Sequence, residues 1–314
     1  MNDELAHLRE TFGFAGISRR AAAKAWDESR VNRHPAGDPR GGQFAPKDGA
    51  GDGATERVID ANGPDFVAPF VQFAEQDNAG EPVYFLTTRG VSDAAREKAL
   101  TAFFGVPEYA RAGIANVVLH EEEGYEFEAG GKRFEAAGNY DVRGAGGPTI
   151  NIFNANYLED DPIGMKRIID HECGHNLEQR MRDLAAEQDR ESWDKSPELF
   201  DFQGNILDIG KARRLYPAAT ARMDYYEARR KGALGLTPYS QAWNNDSEII
   251  ADAYKVYRTP ANDAERKLAM QERAYYASMT QSSAVSSATR ELSESLFDWF
   301  EAMKDNHERK RQAQ

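Results

Sequence analysis

From Pro162 to the Ser196-Pro197 pair the chain runs with apolar residues at helical spacing. One helix is predicted from Pro162 to about Ala186, unbroken until that pair. Inside it stands His171-Glu172-Cys173-Gly174-His175. Residues four apart share a helix face, so both imidazoles can meet a single ion. Two helical histidines do not complete a metal site, so the fold must bring a third ligand against this helix from elsewhere in the chain. Cys173 falls on the opposite face and reads as a small buried hydrophobe.

The pattern HExxH points to zinc, one ion per chain, bound by His171 and His175. Glu172 lies beside the metal, where it can take a proton from a bound water. The position six residues after His175 is Met181, which cannot serve as the third ligand. Glu178 is nearer, but it shares the helix one turn on and would have to bend back. Glu248 is the better candidate. It begins Glu248-Ile249-Ile250-Ala251-Asp252, in a helix predicted from Asp246 to Tyr257 that ends before Thr259-Pro260. Glu248 and Asp252 are four apart, so one carboxylate can ligate while Asp252 accepts a hydrogen bond from a ligand histidine and fixes its tautomer. The apolar residues between them argue that this helix is buried, where an unpartnered carboxylate is costly.

Around these two helices the chain is α+β. Strands are predicted at Pro82–Thr87, Asn116–His120 and Thr149–Phe153, with a hairpin around Gly130-Gly131 between Tyr125 and Tyr140. A helix is predicted from Ser92 to Phe104, capped by Ser92. The alternation of Thr149, Ile150, Asn151, Ile152 and Phe153 predicts a half-exposed strand. Helical patterns return at Ala212–Lys231, broken at Pro217, and from Asn262 to Lys304. The expected organisation is a flexible segment over 1–60, a folded domain over 61–305, and a charged tail over 306–314. The first segment holds a possible helix from Ser18 to Val31 and a Gly/Pro-rich linker starting at His34.

Charge narrows the partners. The 314 residues hold 52 acidic and 39 basic side chains, net −13, which argues against nucleic acid and anionic lipid. Ten acidic and nine basic side chains fall in residues 1–60, leaving −12 on the rest. Electrostatic complementarity therefore predicts a substrate with basic side chains near the reacting bond. No apolar run is long enough for a membrane span and the charged N-terminus is unlike a signal peptide. The single cysteine excludes an internal disulfide.

HExxH followed by a helix bearing ExxxD resembles the gluzincin branch of zinc metallopeptidases. The wording SEIIADAYKVY is similar to the glutamate helix of the anthrax-lethal-factor-like group. Over roughly residues 62–260, the resemblance implies a zincin-like fold: a small mixed sheet, a central active-site helix and a mainly helical C-terminal part. It implies that Tyr239, upstream of the glutamate helix, polarises the substrate carbonyl, with Tyr254 and Tyr257 as alternatives. It also implies that Thr149–Phe153 is the edge strand along which a peptide lies; an open edge does offer free N–H and C=O groups to such a ligand. The spacing of 73 positions from His175 to Glu248 implies a helical insertion at about 196–240. In the linker, HPAGDPRGGQFAPKDG resembles stretches of bacteriophage head and other virion proteins, which implies a phage or prophage origin, virion partners, and a location in the virion or host cytoplasm.

The leading expectation is a zinc endopeptidase acting on polypeptides, with His171, His175 and Glu248 on the metal, Glu172 as general base and Tyr239 at the oxyanion. A non-catalytic zincin-fold module of a virion is the alternative. An amidase acting on cell-wall peptide ranks lowest, since an acidic surface suits anionic wall polymers poorly.

Overall fold

The structure, a computed structural model, describes residues 70–313 other than 79, 125, 130, 131, 145, 160–162 and 261. The helix expected over 18–31, the linker from His34, the boundary at 61, the Gly130-Gly131 turn and the Pro162 start of the central helix lie outside the described residues. The chain divides into two compact units. The described part of the first comprises residues 70–106, 112–127 and 134–169; that of the second comprises 107–111, 128–133 and 170–313.

The first unit is built on a five-stranded mixed sheet. Its strands are β1 (Val71–Asn78), β2 (Glu81–Thr87), β3 (Asn116–Leu119), β6 (Gly138–Asp141) and β7 (Thr149–Ile152), in the order β1-β2-β3-β7-β6. Strands β4 (Glu126–Ala129) and β5 (Lys132–Glu135) form a separate two-stranded sheet. Strands β2, β3 and β7 run parallel, while β1 and β6 are antiparallel to their neighbours. Helix α1 (Asp93–Phe104) links β2 to β3; the Ser92 hydroxyl caps it by accepting from Ala95 N at 3.0 Å. Ala95, Ala99 and Phe103 recur every four residues and are buried, with Phe103 packed edge-on to Phe85 of β2 at 5.5 Å.

The expectation that Thr149 to Phe153 is a half-exposed edge strand is corrected here. Strand β7 is paired on both sides, with β3 and with β6, and the sheet's outer strands are β1 and β6. The polar residues of the alternation face partner side chains on neighbouring strands. Thr149 Oγ1 accepts from Asn116 Nδ2 at 3.1 Å, Asn151 Oδ1 meets His120 Nε2 at 3.1 Å, and Asn151 Nδ2 donates to Asn139 at 3.1 Å. Ile150 and Ile152 are wholly buried, and Phe153, just past the strand, stacks on His120 at 4.8 Å. Period-two alternation thus arises from a cross-strand polar row as readily as from a wet face.

The second unit, as described, is mainly helical. Helix α2 (Glu108–Arg111) is a single turn. Helix α3 spans Gly164–Lys195, crosses the division between Ile169 and Asp170, and runs nine residues beyond the expected end. It stops where Pro197 lacks the N–H to continue. Helices α4 (Ile209–Leu215) and α5 (Pro217–Arg230) break at Pro217 as expected, and Gln188 of α3 caps α5 by accepting from Ala218 N and Ala219 N. A short helix, α6 (Pro238–Trp243), precedes α7 (Asp246–Arg258). Then come α8 (Asp263–Ser278) and α9 (Ser283–Gln312), the latter packed on α5 and α8. Trp299 of α9 donates its indole N–H to Met181 O at 3.2 Å, tying α9 to α3.

The charged tail expected over 306–314 is helical through Gln312, because α9 continues into it. Its last turn holds Arg309, Lys310 and Arg311, cations suited to the negative end of the helix dipole. No helix among the described residues is long and apolar enough to cross a membrane.

Candidate metal centre

Two helices of the second unit make the site. On α3 the His171 and His175 rings lie one turn apart, centroids 4.9 Å and nearly perpendicular. Helix α7 brings Glu248 to both: its Oε2 is 3.3 Å from His171 Nε2 and 3.7 Å from His175 Nε2. One ligand atom from each residue lies within 4.8 Å of the others. Around a tetrahedral ion with bonds of about 2.0–2.1 Å, neighbouring ligand atoms sit roughly 3.4 Å apart. The two measured carboxylate distances therefore fit such an ion. Glu248 Oε2 is buried and meets no hydrogen-bond donor in good geometry among the described residues, which suits an oxygen that faces a cation.

Local chemistry sets Glu248 in place. Asn245 caps α7, its side chain accepting from the Glu248 N–H at 2.8 Å, and Asp246 and Glu248 place negative charge at the positive helix end. The approach of the two helices depends on Gly174. A Cβ there would lie 2.7 Å from Ala251 Cα and 3.0 Å from Ala251 O. These are backbone atoms of α7, so the helix itself would have to retreat. The glycine between the two histidines is thus what lets α7 come close enough to present Glu248.

Electrostatics favours ligation. Burial, together with the neighbouring His171 and against the opposing pull of Glu248 and Asp252, lowers the His175 pKa to about 4. The ring is neutral at neutral pH and keeps a lone pair for a metal. Its Nδ1 lies 3.0 Å from Ser247 Oγ, so a metal on Nε2 would leave Nδ1–H to donate to that hydroxyl. Burial alone would raise the Glu248 carboxyl, but His171, His175 and the Tyr239 hydroxyl outweigh it and hold it below the ordinary range.

Tyr239 and Glu172 belong to the same region. The Tyr239 ring is 5.7 Å from that of His171. Burial and then the charges of Glu248 and Glu172 push its phenol far up, so it stays protonated and able to donate. Glu172 itself is only 4% exposed.

The role expected of Asp252 is corrected. Ser247, not Asp252, meets His175 Nδ1, and His171 Nδ1 has no hydrogen-bond partner among the described residues. Asp252 is fully buried and accepts from the Thr237 and Ser240 hydroxyls while pairing with Lys255. Thr237 and Ser240 form the capping box of α6, which carries Tyr239. Asp252 therefore fastens the Tyr239 helix to the Glu248 helix. The physical reason is competition: two hydroxyls reach its Oδ2 and the Lys255 ammonium reaches its Oδ1.

The alternatives fall away by their own contacts. Glu178 is held by Arg182 at 2.6 Å, and Met181 is buried. Tyr257 donates to Glu301 at 2.6 Å, and Tyr254 packs against Tyr257 and Phe300. Cys173 is wholly buried as expected, and burial pushes its thiol up. Gly174 and Ser247 were not foreseen, although a glycine between ligand positions of a long helix is a signal for close approach. Comparisons of the chain with family models, with curated proteins and with solved structures give no match.

Two outcomes are expected. Ala usually improves a helix interior by about 1 kcal/mol over Gly, but Gly174→Ala must displace backbone, which costs about 1–3 kcal/mol. Thermal unfolding and metal titration should both show a loss. Second, His175 resists protonation when folded, so metal-free protein should lose stability as pH falls from about 6.5 towards about 4. His175→Gln should flatten that part of the pH–stability curve measured by denaturant unfolding.

Proposed function

We propose that the protein is a zinc-dependent endopeptidase of zincin-like fold. The convergence of His171, His175 and Glu248, with Glu172 and Tyr239 beside them, carries this reading. The nitrogen and oxygen ligand set suits zinc: two neutral imidazoles and one carboxylate, as in catalytic sites that keep a position open for water. When bound there, the ion supplies Lewis acidity, which makes water nucleophilic at neutral pH and polarises a carbonyl.

The chain's own groups do the rest. Glu172, next to a ligand in sequence but outside the ligand set, takes the proton of the attacking water and returns it to the leaving nitrogen. Tyr239 remains a protonated phenol and donates to the carbonyl oxygen as negative charge grows there. Ser247 holds His175 in the tautomer that leaves Nε2 free.

The test begins with elemental mass spectrometry. Wild type is expected to hold one zinc per chain, and Glu248→Ala to lose it. A wild type that takes up no zinc on reloading overturns the reading. Incubation with unstructured proteins, followed by intact-mass measurement, should then show cleavage that a chelator abolishes. Glu172→Gln should keep zinc and lose about 10²–10⁴-fold in rate. Tyr239→Phe should keep zinc and lose about 10²–10³-fold in kcat.

A further inference from the structure

Behind the metal centre, one arginine holds together three segments that meet at the start of α7. Arg229, in the last turn of α5, is 18% exposed by side chain. Its Nε donates to Asp246 Oδ1 at 3.2 Å. Its Nη1 donates to Ala233 O at 2.7 Å and to Asn244 Oδ1 at 3.1 Å, and its Nη2 to the main-chain O and Oδ1 of Asn244, each at 3.1 Å. Tyr225, one turn earlier on α5, adds a bond to Asp246 Oδ1 at 2.8 Å. The guanidinium is thus engaged on every nitrogen.

What it holds matters more than how firmly. Asn244 ends α6 in the left-handed conformation, φ +47°, and only Asn244 and Asn245 separate α6 from α7. Asp246 is the first residue of α7, followed directly by Ser247 and Glu248. A non-glycine residue in that conformation carries strain that surrounding contacts must hold. Arg229 grips both its carbonyl and its side chain. Helix α6 is therefore fixed at its start by Asp252 and at its end by Arg229, and α7 is fixed at its first residue.

We propose that Arg229 is a positioning residue for the metal centre. It touches none of the ligands, yet it sets the rotation and height of the α7 first turn, and with them the Glu248 carboxylate and the Ser247 hydroxyl. Lysine cannot replace it, since one ammonium cannot meet Asp246, Ala233 and both oxygens of Asn244 in one plane. The guanidinium borders a cavity of about 340 Å³ that Tyr226, Gly232 and Leu234 also line. A small planar cation can re-enter such a space.

The experiment measures zinc affinity by competition with a chromophoric chelator, together with the visible spectrum of the cobalt(II)-loaded protein. Arg229→Ala should weaken zinc binding about 10-fold or more, in the range of other outer-shell losses, and alter the cobalt spectrum. Millimolar guanidinium should restore both, and equimolar sodium chloride should not. Arg229→Lys should also weaken binding, and it decides the matter alone if circular dichroism shows the alanine variant unfolded. Arg230→Ala, which removes an exposed neighbour paired with Glu227, should leave binding unchanged. Unchanged affinity and spectrum in both Arg229 variants, or an equal loss in Arg230→Ala, overturns the assignment. The inference rests on the metal-centre reading, and the arms separate the two. A wild type without metal removes both, whereas metal held equally by wild type and Arg229 variants removes only the clamp.

Discussion

Everything at the candidate centre depends on how closely α3 and α7 cross. Packed helices normally keep their axes about 8–10 Å apart, at a spacing set by the side chains at the contact. Here the contact is Gly174 against the backbone of Ala251, the two smallest residues available. A glutamate has a short reach, and a tetrahedral ion tolerates little error in the position of a ligand atom. The separation of the helices and the chemistry are therefore one requirement. The remaining residues of α7 meet it from the other side: Ile249, Ile250, Ala253, Tyr254, Val256 and Tyr257 are all buried. Tyr254 and Tyr257 rest against Phe300 of α9 at 5.3 and 5.1 Å, so α7 is wedged between α3 and α9.

The same crossing carries buried charge. Asp170, Glu172 and Asp252 are each at most 4% exposed. Asp170 faces Arg258 at 3.4 Å across the two helices, and Asp252 is held by Lys255, Thr237 and Ser240. Buried ion pairs contribute little net stability, because desolvation offsets most of the attraction. Removing one partner is what costs. Such pairs act mainly on geometry: any rotation of α7 that separated Asp252 from the α6 hydroxyls, or Arg258 from Asp170, would strand a charge. Hydrophobic packing alone would leave the helix freer to turn, and Glu248 would turn with it.

Much of this was legible in the chain itself. The histidine pair, Glu172 and the Glu248 helix obey short-range rules of spacing and capping, and those rules hold inside any fold. The misreadings arise where a residue's meaning depends on a neighbour distant in sequence. Thr149 and Asn151 look like a wet strand face until Asn116, His120 and Asn139 are placed beside them. Asp252 looks like a partner for a histidine until Thr237, fifteen residues away, reaches it first. Strand β1 carries no clear strand signal of its own: its second half, Glu75-Gln76-Asp77, is exposed and polar, a pattern that an outer strand tolerates. Gly174 shows the same limit from the other side. Nothing about a helical glycine says which helix will dock on it.

The charge balance of the site explains why its parts belong together. The candidate ligand set offers a dication two imidazoles and one carboxylate, with a second carboxylate, Glu172, outside that set. Together the two carboxylates would match the charge of a divalent ion and let it sit among buried side chains without stranding net charge. Burial first, and then the charges of those same carboxylates, raise the phenol of Tyr239 and hold its proton in place. One arrangement of negative charge thus suits two ends: a cation held at His171, His175 and Glu248, and a protonated hydrogen-bond donor beside it. A tyrosine of ordinary acidity next to a dication would tend to ionise and compete for the open position. Burial, and then Glu248 and Glu172, oppose that ionisation and favour the protonated phenol, the form able to donate a hydrogen bond.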